Sequence, residues 1–403
     1  MKENNKKLSI GLLIALVGFP QISETIYTPS LPNVVKDLEA SAYMVEATLS
    51  IYFLGFALGV LLWGTISDWS GRRGAMLMGL LVYGIGTLGC ATAASVETLL
   101  VWRFFQAFGA SVGSVITQTI LRDAYNGAER TKLFSVMSGA LAFSPALGPL
   151  LGGIISEFYG WRANFLVLTI LSIFLVVWSF LSLPETRPKN ICRLPLNKVF
   201  HLFTEMTKSR ALWGYILLIG ATNGIIFGFY QEAPFVFIDQ LGMKPSHYGC
   251  FGLIIATSTI LAARVSYRQS THFSAQSIIQ CGATCVFIGG VLFAFTLLTG
   301  VFYLKSIGIG IAIATLFLIF FGIGIIIPNS LSHALKPYHN AAGTAGSIFG
   351  GYYYCLIAGF TWIMSMLHNG TGLPLPLYIS LLGLILIVGS RMICYSPTIE
   401  AKV

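Results

Sequence analysis

Charge is what this chain has least of. Only 10% of its 403 residues are Asp, Glu, Lys or Arg, whereas a soluble domain carries roughly 25%. With 55% hydrophobic residues and a mean hydropathy of +0.79, a water-soluble fold is excluded. Catalytic signatures are missing as well. The sequence contains no Walker A element, no H-E-x-x-H, and no G-x-S-x-G in a strand-turn-helix setting, which argues against an ATP-driven pump and against an enzyme. The seven cysteines (Cys90, Cys192, Cys250, Cys281, Cys285, Cys355, Cys394) form no C-x-x-C pair and mostly fall inside apolar runs, so neither a disulfide framework nor a zinc site is expected. No small-residue cleavage site follows the first apolar run, Leu8 to Thr28, and that run is expected to stay as a helix.

What the chain does have is apolar runs long enough to cross a hydrocarbon core about 30 Å thick at about 1.5 Å per residue. They fall at 8–29, 43–67, 74–95, 97–121, 132–156 and 162–184, then at 211–238, 246–268, 276–299, 302–329, 341–367 and 373–395. The expected fold is therefore an all-α membrane protein of twelve transmembrane helices in two six-helix halves, 1–184 and 211–403. The formal charge of +9 does not mark a nucleic-acid binder, because the basic residues are scattered through short loops. Nineteen of the 24 Lys and Arg lie at the termini and on the loops of one side. Lys36, Arg162, Lys244 and Lys305 face the other side, and Arg103 lies inside the fourth run. By the positive-inside rule both termini are cytoplasmic. The interval 185–210 is the linker between halves. Within it Leu196, Val199, Phe200, Phe203 and Met206 recur at helical spacing, which fits an amphipathic helix on the cytoplasmic membrane surface, with a disordered linker as the alternative.

After the second run the chain reads Gly64-x3-Asp68-x2-Gly71-Arg72-Arg73. The glycines permit a tight reversal, the arginines anchor the inner face, and Asp68 can sit against a helix N-terminus or an arginine of the other half. This loop resembles the signature loop of the major facilitator superfamily. Further segments resemble the Bcr/CflA branch of its drug:proton antiporters. They are Arg103-x2-Gln106-x2-Gly109 in the fourth run, Arg122-Asp123 at its inner end, and Pro145, Gly148-Pro149 and Gly152-Gly153 in the fifth. Tyr27-Thr-Pro29-Ser-Leu-Pro32, Gly160-Trp161-Arg162, Leu183-Pro184-Glu185-Thr186 and Ala342-Gly343-Thr344-Ala345 are similar to that branch too. The resemblance implies the two-half fold, export in exchange for protons, a proton gradient in place of any cofactor, and a role in gating for the loop and fifth-run residues. Read from the residues alone, Gly148, Gly152 and Gly153 admit a close helix while Pro145 and Pro149 bend their own. Gly55/Gly59, Gly109/Gly113, Gly220/Gly224/Gly228 and Gly346/Gly350 read as helix packing.

An ionisable side chain in a membrane helix is costly unless it faces protein or water, which makes each one a candidate site. Three qualify: Glu24 in the first run, Arg103 in the fourth and Glu232 in the seventh. Glu24 lies about 24 Å above the cytoplasmic start of its helix and Arg103 about 6 Å below the outer end of its own, so the two meet at one level. The working hypothesis is that Glu24 pairs with Arg103 in one state and takes a proton, or a cationic substrate, in another. Members of the Bcr/CflA branch tend to carry their acid at the position of Thr25, and one residue turns a helix by about 100°. Glu232, followed by Pro234 as Glu24 is by Pro29, stands at the matching place of the second half. It is either a second acid that serves the substrate or a solvated residue of the outer rim. Gln21, Tyr27, Tyr52, Gln106, Gln118, Asn223, Tyr230 and Asn329 could line a substrate cavity or bond between helices. Among apolar neighbours they would suit lipophilic compounds better than sugars.

The expected protein is a monomeric proton-coupled antiporter of the bacterial inner membrane. Its partners are protons, a small lipophilic and cationic substrate, and the bilayer; nucleic acid is not among them. An importer or exporter of a specific metabolite or siderophore, and a non-transporting receptor or scaffold, remain the alternatives.

Overall fold

A computed structural model describes residues 9–125, 127–188 and 196–393. Among them there is no strand. The helices are α1 (Ile10–Thr25), α2 (Leu31–Asp37), α3 (Ala42–Ser70), α4 (Arg72–Ala91), α5 (Val96–Ala124), α6 (Gly127–Tyr159), α7 (Trp161–Ser182), α8 (Leu196–Lys208), α9 (Arg210–Pro234), α10 (Pro245–Gly249), α11 (Phe251–Gln269), α12 (Ala275–Leu298), α13 (Lys305–Ala334), α14 (Ala342–Leu367) and α15 (Pro374–Met392). Eleven spans among the described residues are long and apolar enough to cross a membrane. The 33-residue α6 stands where the fifth run was expected.

Serine fixes where many of these helices begin. Ser9, Ser41, Ser209 and Ser274 each accept a backbone N–H from three residues ahead, and Ser95 forms a reciprocal capping box with Thr98. Each such cap contributes about 1 kcal/mol by satisfying a donor that the helix leaves open. The first span is interrupted. After α1 the chain passes through a 3₁₀ turn at Thr28–Ser30, where Pro29 cannot donate, and resumes as α2. The membrane-length element therefore reaches Asp37, eight residues past the expected end.

The chain divides into two compact units. The first comprises Met1–Arg193 with Lys244–Gly252, and the second Leu194–Met243 with Leu253–Val403. In the first unit, Gly55 and Gly59 of α3 meet the Phe104 and Phe108 carbonyls of α5, while Gly109 of α5 meets the α4 backbone at Gly79 and Tyr83. Small residues let these backbones touch where lipid supplies no hydrophobic force to join them. α7 presents Leu166, Val167, Ile170, Ile173, Phe174 and Val177 outward. An apolar exterior of this kind belongs in lipid.

In the second unit, α8 occupies the linker interval. Met206 is fully buried with Leu212, Ile216, Ile219 and Phe349, and Phe203 stacks on Tyr352 at 5.7 Å. Phe200 stays 72% exposed. The side chain of Leu196 lies outside the described residues.

Candidate functional site

Among the described residues Arg103 is the largest wholly buried side chain, at 0% exposure. It projects from α5 into an aromatic box. Its guanidinium carbon lies 4.4 Å from the Tyr27 ring centroid, 4.2 Å from that of Tyr52 and 5.9 Å from that of Phe165. The ring faces offer a desolvated cation some of what water would have given it. The Nη1 atom donates to Gln106 Oε1 at 2.6 Å, whereas Nε and Nη2 have no hydrogen-bond partner.

Gln106 is the hinge of this arrangement. Its amide nitrogen donates to Thr87 of α4 at 3.2 Å and to Ser23 of α1 at 3.4 Å. One side chain thus ties three helices together and holds the arginine. Gln106 is fully buried, as are Tyr27 and Tyr52, and the Tyr27 hydroxyl is hydrogen-bonded to Thr48. Glu24, on α1, is 2% exposed and its Oε1 is unpartnered. No hydrogen bond joins it to Arg103, although Arg103 is the charge that acts on it. The two buried charges lie within electrostatic reach of each other and are not locked together.

In the second unit Glu232 is also wholly buried, not solvated at a rim. Its Oε2 lies 2.8 Å from Nδ1 of His368, which follows α14, while Oε1 has no partner. Phe235 packs edge-on against the His368 ring at 4.9 Å, and Gln231 donates to the Thr361 carbonyl at 3.1 Å. The list of three membrane charges was incomplete. Glu46, on α3, is a fourth buried ionisable residue at 0% exposure. It sits one turn from the start of its helix, where a sequence reading places the water boundary.

The other candidates scatter. Tyr230 is buried, Gln21 is half-buried on α1, and Gln118 is exposed on α5. Asn223 caps back onto the Ile219 carbonyl at 2.9 Å, and Asn329 bonds Ser266 and the Ile325 carbonyl, each at 2.7 Å.

The signature loop forms a charge knot. Gly64 lies in the last turns of α3. Gly71, at φ 85°, turns the chain directly from α3 into α4. Arg72 then folds back, donating from Nη1 to Asp68 and Ser67 and from Nε to Asp123 at 2.8 Å. Asp68 therefore engages an arginine of its own unit, and the carboxylate at the N-terminus of α4 is a different one. Glu185 accepts the backbone N–H of Arg72 at 2.9 Å and of Arg73 at 3.2 Å. An anion placed there complements the open amides and the helix dipole. Arg73 donates to the Phe180 carbonyl, and Arg187 donates to the Asp68 and Trp69 carbonyls. Arg122 stays exposed.

In α6, a Cβ on Gly148 would strike Thr25, one on Gly152 the Ile26 carbonyl, and one on Gly153 the Pro245 carbonyl. Gly148, Pro149 and Gly152 are buried, and the side chain of Pro145 lies outside the described residues. At the far end of the unit, Trp161 Nε1 donates to Asp37 at 2.9 Å and Arg162 pairs with the same carboxylate. This knot joins α2 to α7. The G-W-R segment pointed to it, but nothing in the sequence named Asp37 as its partner.

The comparisons with known proteins match this architecture. Residues 13–363 match the Major Facilitator Superfamily. The chain belongs to that superfamily. It is similar to an uncharacterized transporter of Rickettsia bellii, 37% identical over 371 residues covering 91% of each chain. A chloramphenicol resistance protein of Pseudomonas aeruginosa is 30% identical, covering 88% of this chain and 83% of the relative. A bicyclomycin resistance protein homolog of Haemophilus influenzae is 26% identical over 91% and 90%. Among solved structures, the E. coli xylose transporter XylE, in a partially occluded inward open conformation, superposes with a TM-score of 0.73 over 98% of both chains at 16% identity. The protein is accordingly a multi-pass transporter of the Major Facilitator Superfamily and not an enzyme.

Proposed function

We propose that this transporter is a proton-coupled antiporter of the bacterial inner membrane, with twelve spans and both termini cytoplasmic, that exports small lipophilic compounds by alternating access. The observation that carries the reading is the interior of the first unit. A buried carboxyl on α1 has a free oxygen, and a buried guanidinium on α5, set among the rings of Tyr27 and Tyr52, has two free donor atoms, yet the two do not bond each other. Burying two charges and leaving them unpaired costs several kcal/mol that a purely structural site would not retain. The cost is understandable if the carboxyl must bind and release a proton. Protonated, Glu24 leaves Arg103 held by Gln106 and the ring faces alone. Ionised, it can swing to the free Nε and Nη2 atoms, gaining about 4 kcal/mol at 4 Å separation and an effective dielectric near 20. Two arrangements of similar energy that differ by one proton are what coupling needs.

Glu232 supplies a second buried acid, which favours cationic substrates over neutral ones. The relatives named for resistance to chloramphenicol and bicyclomycin support export of drug-like molecules. The test is accumulation of a panel of lipophilic cations, neutral amphenicols and organic anions in inverted vesicles energised by a proton gradient. Uptake of cations that collapses with a protonophore is expected. Uptake of anions alone, or uptake unaffected by the protonophore, would overturn the reading.

A further inference from the structure

The second half of the chain is nearly empty of negative charge. From residue 240 to residue 399 there is no Asp or Glu, while Lys244, Arg264, Arg268, Lys305, Lys336 and Arg391 fall in the same stretch. Two of these cations, Arg264 and Arg268, stand one turn apart near the end of α11, on one face of the helix and about 6 Å from each other. Both residues are exposed, and among the described residues neither guanidinium makes an ion pair or a hydrogen bond. The turn between the second and third spans of the first unit is balanced internally, Arg72 there being neutralised by Asp68 and Asp123. No acid is present in α11, in α12 or in the turn between them to do the same for Arg264 and Arg268. The helix sets their direction. The exposed stripe of α11 runs Leu253, Thr257, Leu261, Arg264, Arg268, at spacings of three and four, with Leu253 48% and Leu261 45% exposed. An apolar stripe on a membrane helix faces lipid tails, so the arginines that continue it stand at the level of the headgroups. Tyr267, 82% exposed, and Phe273, 59% exposed in the following turn, are aromatics of the kind that settle at that level. The dipole of α11 favours Arg268 in its last turn but does not reach Arg264, a full turn further back.

We propose that Arg264, Tyr267 and Arg268 form a binding site for the phosphate of an anionic phospholipid, which supplies the counter-charge that this half of the chain lacks. Two guanidinium forks one turn apart suit the oxygens of a single phosphate, and the lipid tails follow the Leu261–Leu253 stripe. A zwitterionic lipid brings its own ammonium to the same place and is the poorer fit. The site lies on one helix of the second unit and does not depend on the transport reading.

The test is native mass spectrometry of the full chain in detergent, titrated separately with phosphatidylglycerol and with phosphatidylcholine of the same tail length. Phosphatidylglycerol is expected to bind more tightly. Arg264→Gln or Arg268→Gln should weaken it about fivefold and the double variant about twenty- to thirtyfold, with the differences shrinking at high salt. Lys198→Gln with Lys208→Gln, which removes two exposed cations of α8, should change it less than twofold. All these variants should melt as the wild type does in lipid-free detergent, since the positions are exposed. A photoactivatable phosphatidylglycerol, used on the wild type and so needing no variant, should label the turn between α11 and α12. Equal losses from the α11 pair and the α8 pair, or labelling of other segments alone, would mean diffuse attraction of a basic protein for anionic lipid and would overturn the proposal. Displacement of the lipid by millimolar inorganic phosphate would assign the arginines to a free anion and would overturn it too.

Discussion

Replacing Glu185 by alanine removes a carboxylate that accepts three backbone N–H groups, those of Arg72, Arg73 and Arg187, at 2.9, 3.2 and 2.9 Å. Two of these are the first open amides of α4. Glu185 is exposed, so the loss is modest. An exposed anion at a helix N-terminus contributes about 0.3–1 kcal/mol, and the hydrogen bonds bring the total to roughly 1–2 kcal/mol. For a unit of this size each kcal/mol moves the melting temperature by roughly 2–4 °C, so a fall of about 2–8 °C is expected. Thermal unfolding of purified protein in detergent, followed by tryptophan fluorescence, would read it. Glu185→Gln should lose about half as much, because the amide oxygen still accepts while the charge is gone, and the difference between the two variants should shrink in high salt. Gly71→Ala should exceed both, because a Cβ there meets the Glu185 carboxylate and the residue sits at φ 85°. A shift below 1 °C for Glu185→Ala would refute the idea that this carboxylate fastens the start of α4.

Arg103→Lys should stay folded but lose at least tenfold in transport rate, since an ammonium cannot stack on Tyr27 and Tyr52 while bonding Gln106; vesicle uptake checks it. Gly152→Leu places its side chain on the Ile26 carbonyl, and overpacking of about 1–3 kcal/mol should yield little monodisperse protein by size-exclusion chromatography. Trp161→Phe keeps the ring under Arg162 but drops the bond to Asp37, costing about 1 kcal/mol in thermal unfolding, and in combination with Asp37→Asn the losses should not add.

The helices were legible because a bilayer imposes one rule on every span: about 20 apolar residues with internally satisfied backbone. Most ends shifted by a few residues, and at Pro29 a 3₁₀ turn carries the first span on into α2. The signature loop could be located but not wired. Asp68 was expected to have either a helix N-terminus or a distant arginine as partner, yet its neighbour Arg72 turns back on it, and Glu185, 113 positions on from Arg72, takes the helix end. Pairings across that much chain leave no local trace. The same holds for Glu232 and His368, 136 positions apart, and for Asp37 with Trp161. Glu46 was overlooked because hydropathy marks an acid near a helix start as solvated, and only packing shows that it is buried. Gln106 was read as either lining a cavity or bonding between helices, two roles that its sequence context does not separate. It bonds Arg103 on its own helix, Ser23 of α1 and Thr87 of α4.

The most direct test of the central claim is proton movement in proteoliposomes carrying a pH-sensitive dye, under an imposed gradient, with a lipophilic cation such as tetraphenylphosphonium added to wild type and to Glu24→Gln. The account predicts substrate-dependent proton flux in the wild type and its loss in the variant, which should still bind the cation. Equal flux in both proteins would contradict a proton-carrying role for Glu24.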